Sequence, residues 1–184
     1  MKLRTIATDR RGYSLGELLW VIVILSILTA LAVPRLDWQK YRLNAEQRNI
    51  AMQLTYSQRL AVSLQHNVQV TIDHAARRLI VDEDANNDGN YTSNERRRVI
   101  QLDDGVNFER NGVPDLPAPA PTNEVTRIIY RRDGSADQSA VVFMNSTRDV
   151  ASGTNTDARA YEIVRATGRA ISYRYLNGVW KKGS

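Results

Sequence analysis

The first feature of the chain is an apolar run of 21 residues, from Tyr13 to Val33, which contains one carboxylate, Glu17, and is followed by Pro34. As an α-helix this run would be roughly 31 Å long, which matches the roughly 30 Å hydrocarbon core of a bilayer. An acid in such a segment costs about 2.5 to 3.5 kcal/mol at the bilayer centre, and less near an end, so it usually marks a functional pairing. The pattern therefore predicts a membrane-spanning helix over 13–34 in which Glu17 has a specific role.

After this run, apolar residues recur at spacings of three, four and seven from Leu36 to about Leu64, among Gln, Arg and Asn. This period predicts an amphipathic helix over 35–65 that continues the first helix and packs one face against a globular domain. Pro34 is expected to kink the junction, because proline removes a backbone hydrogen bond and crowds the preceding turn.

Beyond Gln65 the period changes to two, which is typical of β-strands. Asp133-Gly134, Thr167-Gly168 and Asn177-Gly178 provide turns, and the proline-rich stretch 112–123 predicts an extended loop. The predicted fold class is α+β: a long N-terminal helix followed by an antiparallel β-sheet or sandwich domain over 66–184. Strands are expected at 68–72, 78–81, 98–102, 106–110, 126–131, 140–145, 161–166 and 170–176.

Charge and composition reduce the number of functional classes that the sequence supports. The first twelve residues hold four of the 25 basic residues and one of the 20 acidic ones, so the remainder has 21 against 19, a net charge of +2. This balance gives little support to nucleic-acid binding. The basic start instead predicts that the N-terminus stays in the cytoplasm and that the chain from Arg35 onward lies across the membrane. There is no cysteine, so no disulfide can form.

Few residues suit catalysis. His66 and His74 are the only histidines, one at the predicted helix end and one in a turn. Neither a serine-nucleophile motif nor a glycine-rich phosphate loop accompanies them. We therefore expect that the protein is not an enzyme.

The N-terminal residues Arg10-Arg11-Gly12-Tyr13, with Glu17 four places further on, resemble the cleavage site of type IV prepilins and type II secretion pseudopilins. In that family an inner-membrane peptidase cuts after the glycine and methylates the new amine. The resemblance implies a leader over 1–12, a cut between Gly12 and Tyr13, and N-methylation of Tyr13. Pro34 also falls where these proteins commonly place a proline, whereas Tyr13 replaces the commoner Phe and Gly16 a larger apolar residue.

Cleavage would place Glu17 in the first turn of the helix, where the positive end of the helix dipole stabilises a carboxylate. The free amine of a neighbouring subunit could then neutralise Glu17 in lipid. We expect assembly to depend on Glu17 and Pro34.

The order of elements, with Asp133-Gly134-Ser135 and Thr167-Gly168-Arg169 each ahead of an apolar strand, is similar to that of the GspH/FimT group of minor pseudopilins. The resemblance implies a low-abundance subunit at or near the tip of a short periplasmic filament of pilins or pseudopilins. It implies three further partners: the prepilin peptidase, an inner-membrane assembly platform, and membrane lipid before assembly. The expected location is the inner membrane, single-pass with the C-terminal domain in the periplasm, and then the filament. The machine stays open between a type II secretion pseudopilus, a type IV pilus and a competence filament.

Two other interpretations of the N-terminus stay open. Ala30-Leu31-Ala32 looks like a signal-peptidase site, and Arg10-Arg11 faintly resembles a twin-arginine export signal. Either would produce a conventionally exported calcium-binding β domain. A mature chain that begins at Val33 would contradict the prepilin interpretation.

Residues 84–95 predict a calcium site, because they fit the twelve-residue calcium-loop pattern D-x-[DN]-x-[DN]-G-x5-E at every specified position. Calcium takes six to eight oxygen ligands, and Gly89 would provide the sharp turn. The flanks differ from an EF-hand, since a strand precedes the loop and three arginines, 96–98, follow it. The alternative is a polar hairpin loop whose side chains satisfy one another. The predicted ligands are Asp84, Asn86, Asp88, Asn90 through its carbonyl, Thr92 and Glu95.

A DNA-binding role is the other alternative, and it rests on resemblance to FimT-like minor pilins that bind DNA through a C-terminal Gly-Arg-x-Arg. Here the segment is Gly168-Arg169-Ala170-Ile171, which lacks the second arginine. A patch could still form, with phosphate contacts beside stacking surfaces. The simpler interpretation is a strand with a charged face and a basic tail. The candidate residues are Arg165, Arg169 and Arg174, together with Lys181, Lys182, Tyr173, Tyr175 and Trp180.

Overall fold

The computed structural model describes residues 12–32, 38–92 and 95–183. The chain divides into two compact units, Met1–Asp37 and Trp38–Ser184. Predictions for the leader before Gly12 and for Pro34 lie outside the described residues.

The first unit is described as one helix, α1 (Leu15–Ala32), within the range predicted from the apolar run. Its large side chains are exposed on all sides, and Leu18, Val21, Ile24 and Leu28 are each more than half exposed. In the described ranges, no helix has the length and apolar character that crossing a membrane requires. The helix is thus present, and its membrane-spanning role stays a prediction.

The second unit begins with α2 (Trp38–Leu64), close to the predicted amphipathic helix. Leu43, Ile50, Leu54 and Ala61 are buried and lie on one side of the helix, as the spacing predicts. The helix ends before Gln65, which has a positive φ of 57°. After this residue the chain reverses direction and enters its first strand at Asn67.

Nine strands in the described part of the chain form two sheets. The strands are β1 (Asn67–Asp73), β2 (Arg78–Asp84), β3 (Arg97–Gln101), β4 (Val106–Asn107), β5 (Arg127–Tyr130), β6 (Ala140–Ser146), β7 (Arg159–Ile163), β8 (Ala170–Leu176) and β9 (Val179–Lys182). The four-stranded sheet has the order β3-β2-β1-β5 and the five-stranded sheet the order β4-β6-β7-β8-β9. Every pair of neighbouring strands is antiparallel. The observed architecture is therefore α+β with antiparallel sheets, as predicted.

Two elements were not predicted. The short helix α3 (Thr147–Ser152) follows β6 directly, and the Ser146 side chain caps it by accepting the Asp149 N–H. Strand β9 pairs with β8 across a two-residue turn in which Asn177 and Gly178 both have positive φ. The sequence predicts the turn and a basic tail after it, whereas the structure has a strand at these residues.

The main core lies between α2 and the two sheets. Alternate residues of β1 and β6 point into it, among them Val70 and Val142. The other residues of β6, Val141 and Phe143, face a second cluster on the opposite side of the five-stranded sheet. Val113 and Leu116 of the proline-rich loop complete this second cluster. The loop has the irregular structure that the sequence predicts, and it covers a sheet face.

Candidate functional site

Glu17 forms a capping box with Ser14 at the start of α1. Its Oε2 accepts the backbone N–H of Ser14 at 2.8 Å, and the Ser14 hydroxyl accepts the Glu17 N–H at 3.2 Å. Two backbone donors at the helix start are thus satisfied reciprocally. The sequence identified Glu17 by the cost of its charge, but not this second role, although the Ser-x-x-Glu spacing was a signal for it.

Gly12 and Tyr13 precede α1 in irregular backbone. Tyr13 is 90% exposed, and a Cβ placed at Gly12 would meet no atom within 4 Å. The peptide bond between them is therefore exposed on the surface of the first unit.

The calcium-type loop is held together by Asp84, whose side chain is fully buried. One of its carboxylate oxygens accepts the N–H of Asp88 at 3.0 Å, and the other accepts the N–H of Gly89 at 3.1 Å. Gly89 has a φ of 78°, which suits the sharp turn expected there. Burial, and after it the charge of Asp84, raise the pKa of Tyr91 to about 12.

Glu95 closes the loop onto its own beginning. Its Oε1 accepts the Ala85 N–H at 3.0 Å and its Oε2 accepts the Thr92 N–H at 2.9 Å. Asn86 Nδ2 donates to Asp88 Oδ2 at 2.8 Å, so predicted ligand side chains bond one another and the backbone. Within the described ranges, no three or more His, Cys, Asp or Glu side chains form a group that could hold a metal ion. Calcium binding here therefore stays a prediction.

The three arginines after the loop have their own partners. Arg97 makes a bidentate contact with Asp82, at 2.6 and 3.2 Å, and Arg98 lies over the Tyr56 ring, 5.4 Å from its centroid. Arg96 is 3.7 Å from Glu83, which also lies 3.6 Å from His66. Their positive charges are thus partly balanced outside the loop.

The structure separates the residues of the predicted DNA-binding patch, and DNA binding itself stays a prediction. Arg165 and Arg169 are exposed beside one turn, but Arg174 lies on β8 and its Nε is 3.3 Å from the Asp157 carboxylate. Tyr173, Tyr175 and Trp180 are at least nine-tenths buried in the second cluster, because the proline-rich loop covers that face of the sheet. These rings cannot serve as stacking surfaces.

A buried polar network was missed by the sequence analysis. Arg159 is fully buried; one of its terminal nitrogens donates to Asp157 and the other donates to Asn44 Oδ1 of α2 at 2.6 Å. Burial lowers the pKa of the Arg159 guanidinium, and the Asp157 carboxylate opposes that shift. The available signal was an acidic and a basic residue two apart, directly before the apolar pair Ala160-Tyr161 of β7.

No family model and no curated protein matches the chain. Among solved structures it is similar to the minor pseudopilin EpsH from the type 2 secretion system of Vibrio cholerae. One EpsH structure is 12% identical, with a TM-score of 0.46 over 78% of this chain and 97% of that chain. A second is 13% identical, with a TM-score of 0.39 over 78% of this chain and 94% of that one. At these values the likeness is one of fold and assigns no family.

Proposed function

We propose that this protein is a minor pseudopilin or minor pilin, a structural subunit that acts in filament initiation or tip assembly and in protein secretion. The observation that carries the proposal is the position of Glu17: a single acid in a long apolar run, five residues after Gly12. An uncompensated acid there would only weaken insertion, so its presence indicates a partner of opposite charge.

The character of α1 supports this role. A helix that is apolar on all sides needs lipid or other protein around it, because exposed apolar surface of this extent is unfavourable in water. In the proposal, residues 13–34 lie in the inner membrane before assembly and in the core of the filament afterwards. The domain that follows lies on the periplasmic side.

Processing supplies the partner of Glu17. The prepilin peptidase cuts after Gly12 and methylates Tyr13, and the new amine keeps its positive charge. In a helical assembly of identical or related subunits this amine neutralises Glu17 of the next subunit. The peptide bond between Gly12 and Tyr13 is exposed, which suits such a cut.

The test uses substitutions that separate the two roles of Glu17. Glu17→Gln keeps a side chain that can complete a capping box but removes the charge, and Ser14→Ala removes the cap but keeps the charge. Both variants are expressed in a host that assembles the filament, and incorporation is measured in sheared filaments. We expect Glu17→Gln to be processed but not incorporated, and Ser14→Ala to be incorporated. Incorporation of Glu17→Gln at the wild-type level, or a mature chain that does not begin at Tyr13, would overturn the proposal.

We also propose that the 84–95 loop binds calcium weakly, because its backbone is already turned at Gly89 around the buried Asp84 carboxylate. Extracellular modules bind calcium with dissociation constants of about 10⁻⁴ to 10⁻³ M. A tenfold excess over the dissociation constant would stabilise the fold by about 1.4 kcal/mol and raise the melting temperature by about 3 to 6 °C.

Melting curves of the full chain in detergent, with calcium and with equal magnesium, test this site. The double variant Asp88→Asn/Glu95→Gln should lose the calcium response and keep its fold. An unchanged melting temperature of the wild-type chain in calcium would show that the loop is a polar hairpin only.

A further inference from the structure

Two turns that the filament role does not use meet on the surface of the second unit. Asp133-Gly134-Ser135 lies between β5 and β6, and Thr167-Gly168-Arg169 lies between β7 and β8. The Ala136 N–H donates to the Arg165 carbonyl at 2.8 Å, which joins the first turn to the second. Gln58 of α2 donates its Nε2 to the Gly134 carbonyl at 3.1 Å and also to the Thr167 carbonyl. One helix side chain therefore holds both turns.

The two turns touch more closely than side chains would allow. A Cβ at Gly168 would lie 2.2 Å from the carbonyl oxygen of Gly134, and both glycines have positive φ, 61° and 84°. Such a close approach fixes the position of each turn relative to the other. The residues that flank the turns are thus presented in a defined arrangement.

Four arginines flank these turns, and all four are exposed. In the described residues, none of them forms an ion pair within 4 Å. Hydrogen bonds from Ser135 and, to a smaller extent, the charge of Arg131 lower the pKa of Asp133. The acids nearby are already engaged: Asp133 accepts the Ser135 N–H and hydroxyl, and Asp137 accepts the Ile129 N–H. The surface is therefore positive with guanidinium groups available for a ligand. We call it the arginine surface; it consists of Arg131, Arg132, Arg165 and Arg169.

A cavity of about 340 Å³ opens between Arg131 and Arg165. Its apolar walls are Ala136, Val164 and Ala166, and its polar groups include the Ser139 hydroxyl, which accepts the Arg165 N–H at 3.3 Å and keeps its own hydrogen for a ligand. Guanidinium forks at the rim bind carboxylate or phosphate oxygens, and apolar walls suit a methylene stem. An acidic side chain has both parts.

We propose that the arginine surface binds a carboxylate-bearing segment of a partner protein. A continuous phosphate chain fits less well, because Asp133 and Asp137 lie among the arginines and would repel closely spaced phosphates. Neither turn contains an aromatic residue on which a base could stack. The inference goes beyond the filament role and does not depend on it, since it rests on the geometry of the second unit.

The experiment measures fluorescence anisotropy of a fluorescein-labelled peptide of alternating glutamate and alanine, titrated at low salt with the full chain in a non-ionic detergent. The matched peptide has glutamine in place of glutamate. We expect the glutamate peptide to bind and the glutamine peptide not to bind. Arg131→Gln/Arg165→Gln should weaken binding about tenfold, since it removes two charge-assisted contacts.

Arg48→Gln/Arg59→Gln is the matched control, because it removes the same charge from exposed positions on α2. It should change the affinity by less than about twofold. Charge reversal with Arg131→Glu/Arg165→Glu should transfer binding to a lysine and alanine peptide. The proposal is overturned by equal losses in the surface and control variants, by no binding of the glutamate peptide, or by tighter binding of a single-stranded oligonucleotide that the surface variant abolishes.

Discussion

Arg159 is the largest fully buried side chain among the described residues, and its charge is held by three neighbours. Asp157 and Asn44 accept from its terminal nitrogens, and the Ala158 carbonyl accepts at 3.0 Å. Asp157 also contacts Arg174, so one buried carboxylate serves two guanidinium groups. Because Asn44 belongs to α2, this network ties the helix to the five-stranded sheet.

Replacing Arg159 should destabilise the fold strongly. Arg159→Met leaves the buried Asp157 with only its partly exposed partner, and breaking a buried pair from one side typically costs about 3 to 5 kcal/mol. The free energy of unfolding, measured in urea, should fall by an amount near the lower end of that range, since Arg174 remains. Arg48→Met at an exposed position should change it by less than about 0.5 kcal/mol. Equal effects of the two substitutions would contradict the network.

Gly168 should be far less tolerant of alanine than Gly153. Both have positive φ, 61° and 66°, but a Cβ at Gly153 meets nothing within 4 Å whereas one at Gly168 meets the Gly134 carbonyl. Gly153→Ala carries only the backbone cost of about 1 kcal/mol, and Gly168→Ala adds an overpacking cost of about 1 to 3 kcal/mol. Urea denaturation of the two variants gives the difference directly. Similar losses would mean that the turns separate easily.

At single positions the sequence was most informative where chemistry and spacing coincide. Glu17 and the 84–95 loop could be identified because a charge in an apolar run and a twelve-residue pattern are both unusual. Arg159 could not, because its burial depends on Asn44 and Asp157 meeting in three dimensions. The arginine surface was missed for the same reason: Arg131 and Arg165 are 34 positions apart and become neighbours only in the folded unit, where Gln58 and the Ala136 N–H join the two turns.

The proline-rich loop 112–123 is irregular in structure, but it packs against a sheet and contributes to the second hydrophobic cluster. It covers the outer face of the five-stranded sheet, and Trp180 Nε1 donates to the Pro114 carbonyl at 3.0 Å. Trp180 also packs on Tyr175, with ring centroids 5.0 Å apart. Strand β9 therefore secures the loop.

Trp180→Phe should loosen this loop without unfolding the domain. The variant keeps an aromatic ring but loses one hydrogen bond, worth about 1 kcal/mol. Opening of the loop should become about fivefold more frequent, and limited proteolysis within 112–123 should accelerate by that factor. Trp38→Phe, at an exposed position, is the control and should leave the rate unchanged. A melting temperature that drops as far as it does for Arg159→Met would contradict a local effect.

The elements that periodicity predicts well are those with one buried face, such as α2 and β1. Strand β6 was found despite being buried along its whole length, because its apolar run is bounded by polar residues. Strand β4 is only two residues long, since the ladder with β6 ends at Asn107. Helix α3 is too short for a periodic signal. Strand β9 is only four residues long, and the local sequence does not show that these residues pair with β8.

For the molecule as a whole, the division at residue 37 separates an apolar helix from a unit with its own core. Both hydrophobic clusters of the described residues lie within Trp38–Ser184. This unit also contains the buried polar network and both turns of the arginine surface.

A chain limited to residues 38–184 should therefore fold alone. Its melting temperature should lie within about 3 °C of the value for the full chain in detergent, because no residue of its clusters is removed. Its far-ultraviolet circular dichroism should show α2 and the sheets. A broad, non-cooperative transition would indicate that the core needs residues before Trp38.

The capping box at the start of α1 orders the beginning of the helix before the subunit is assembled. While Glu17 Oε2 accepts the Ser14 N–H of its own chain, the first turn is complete and the negatively charged carboxylate is held at a fixed place on the helix. Under the proposed function, joining the filament adds a bond from a neighbour's amine to this carboxylate. Because the carboxylate is already ordered by its own chain, docking costs little side-chain entropy at this position, and more of the free energy of the new ion pair is retained as affinity.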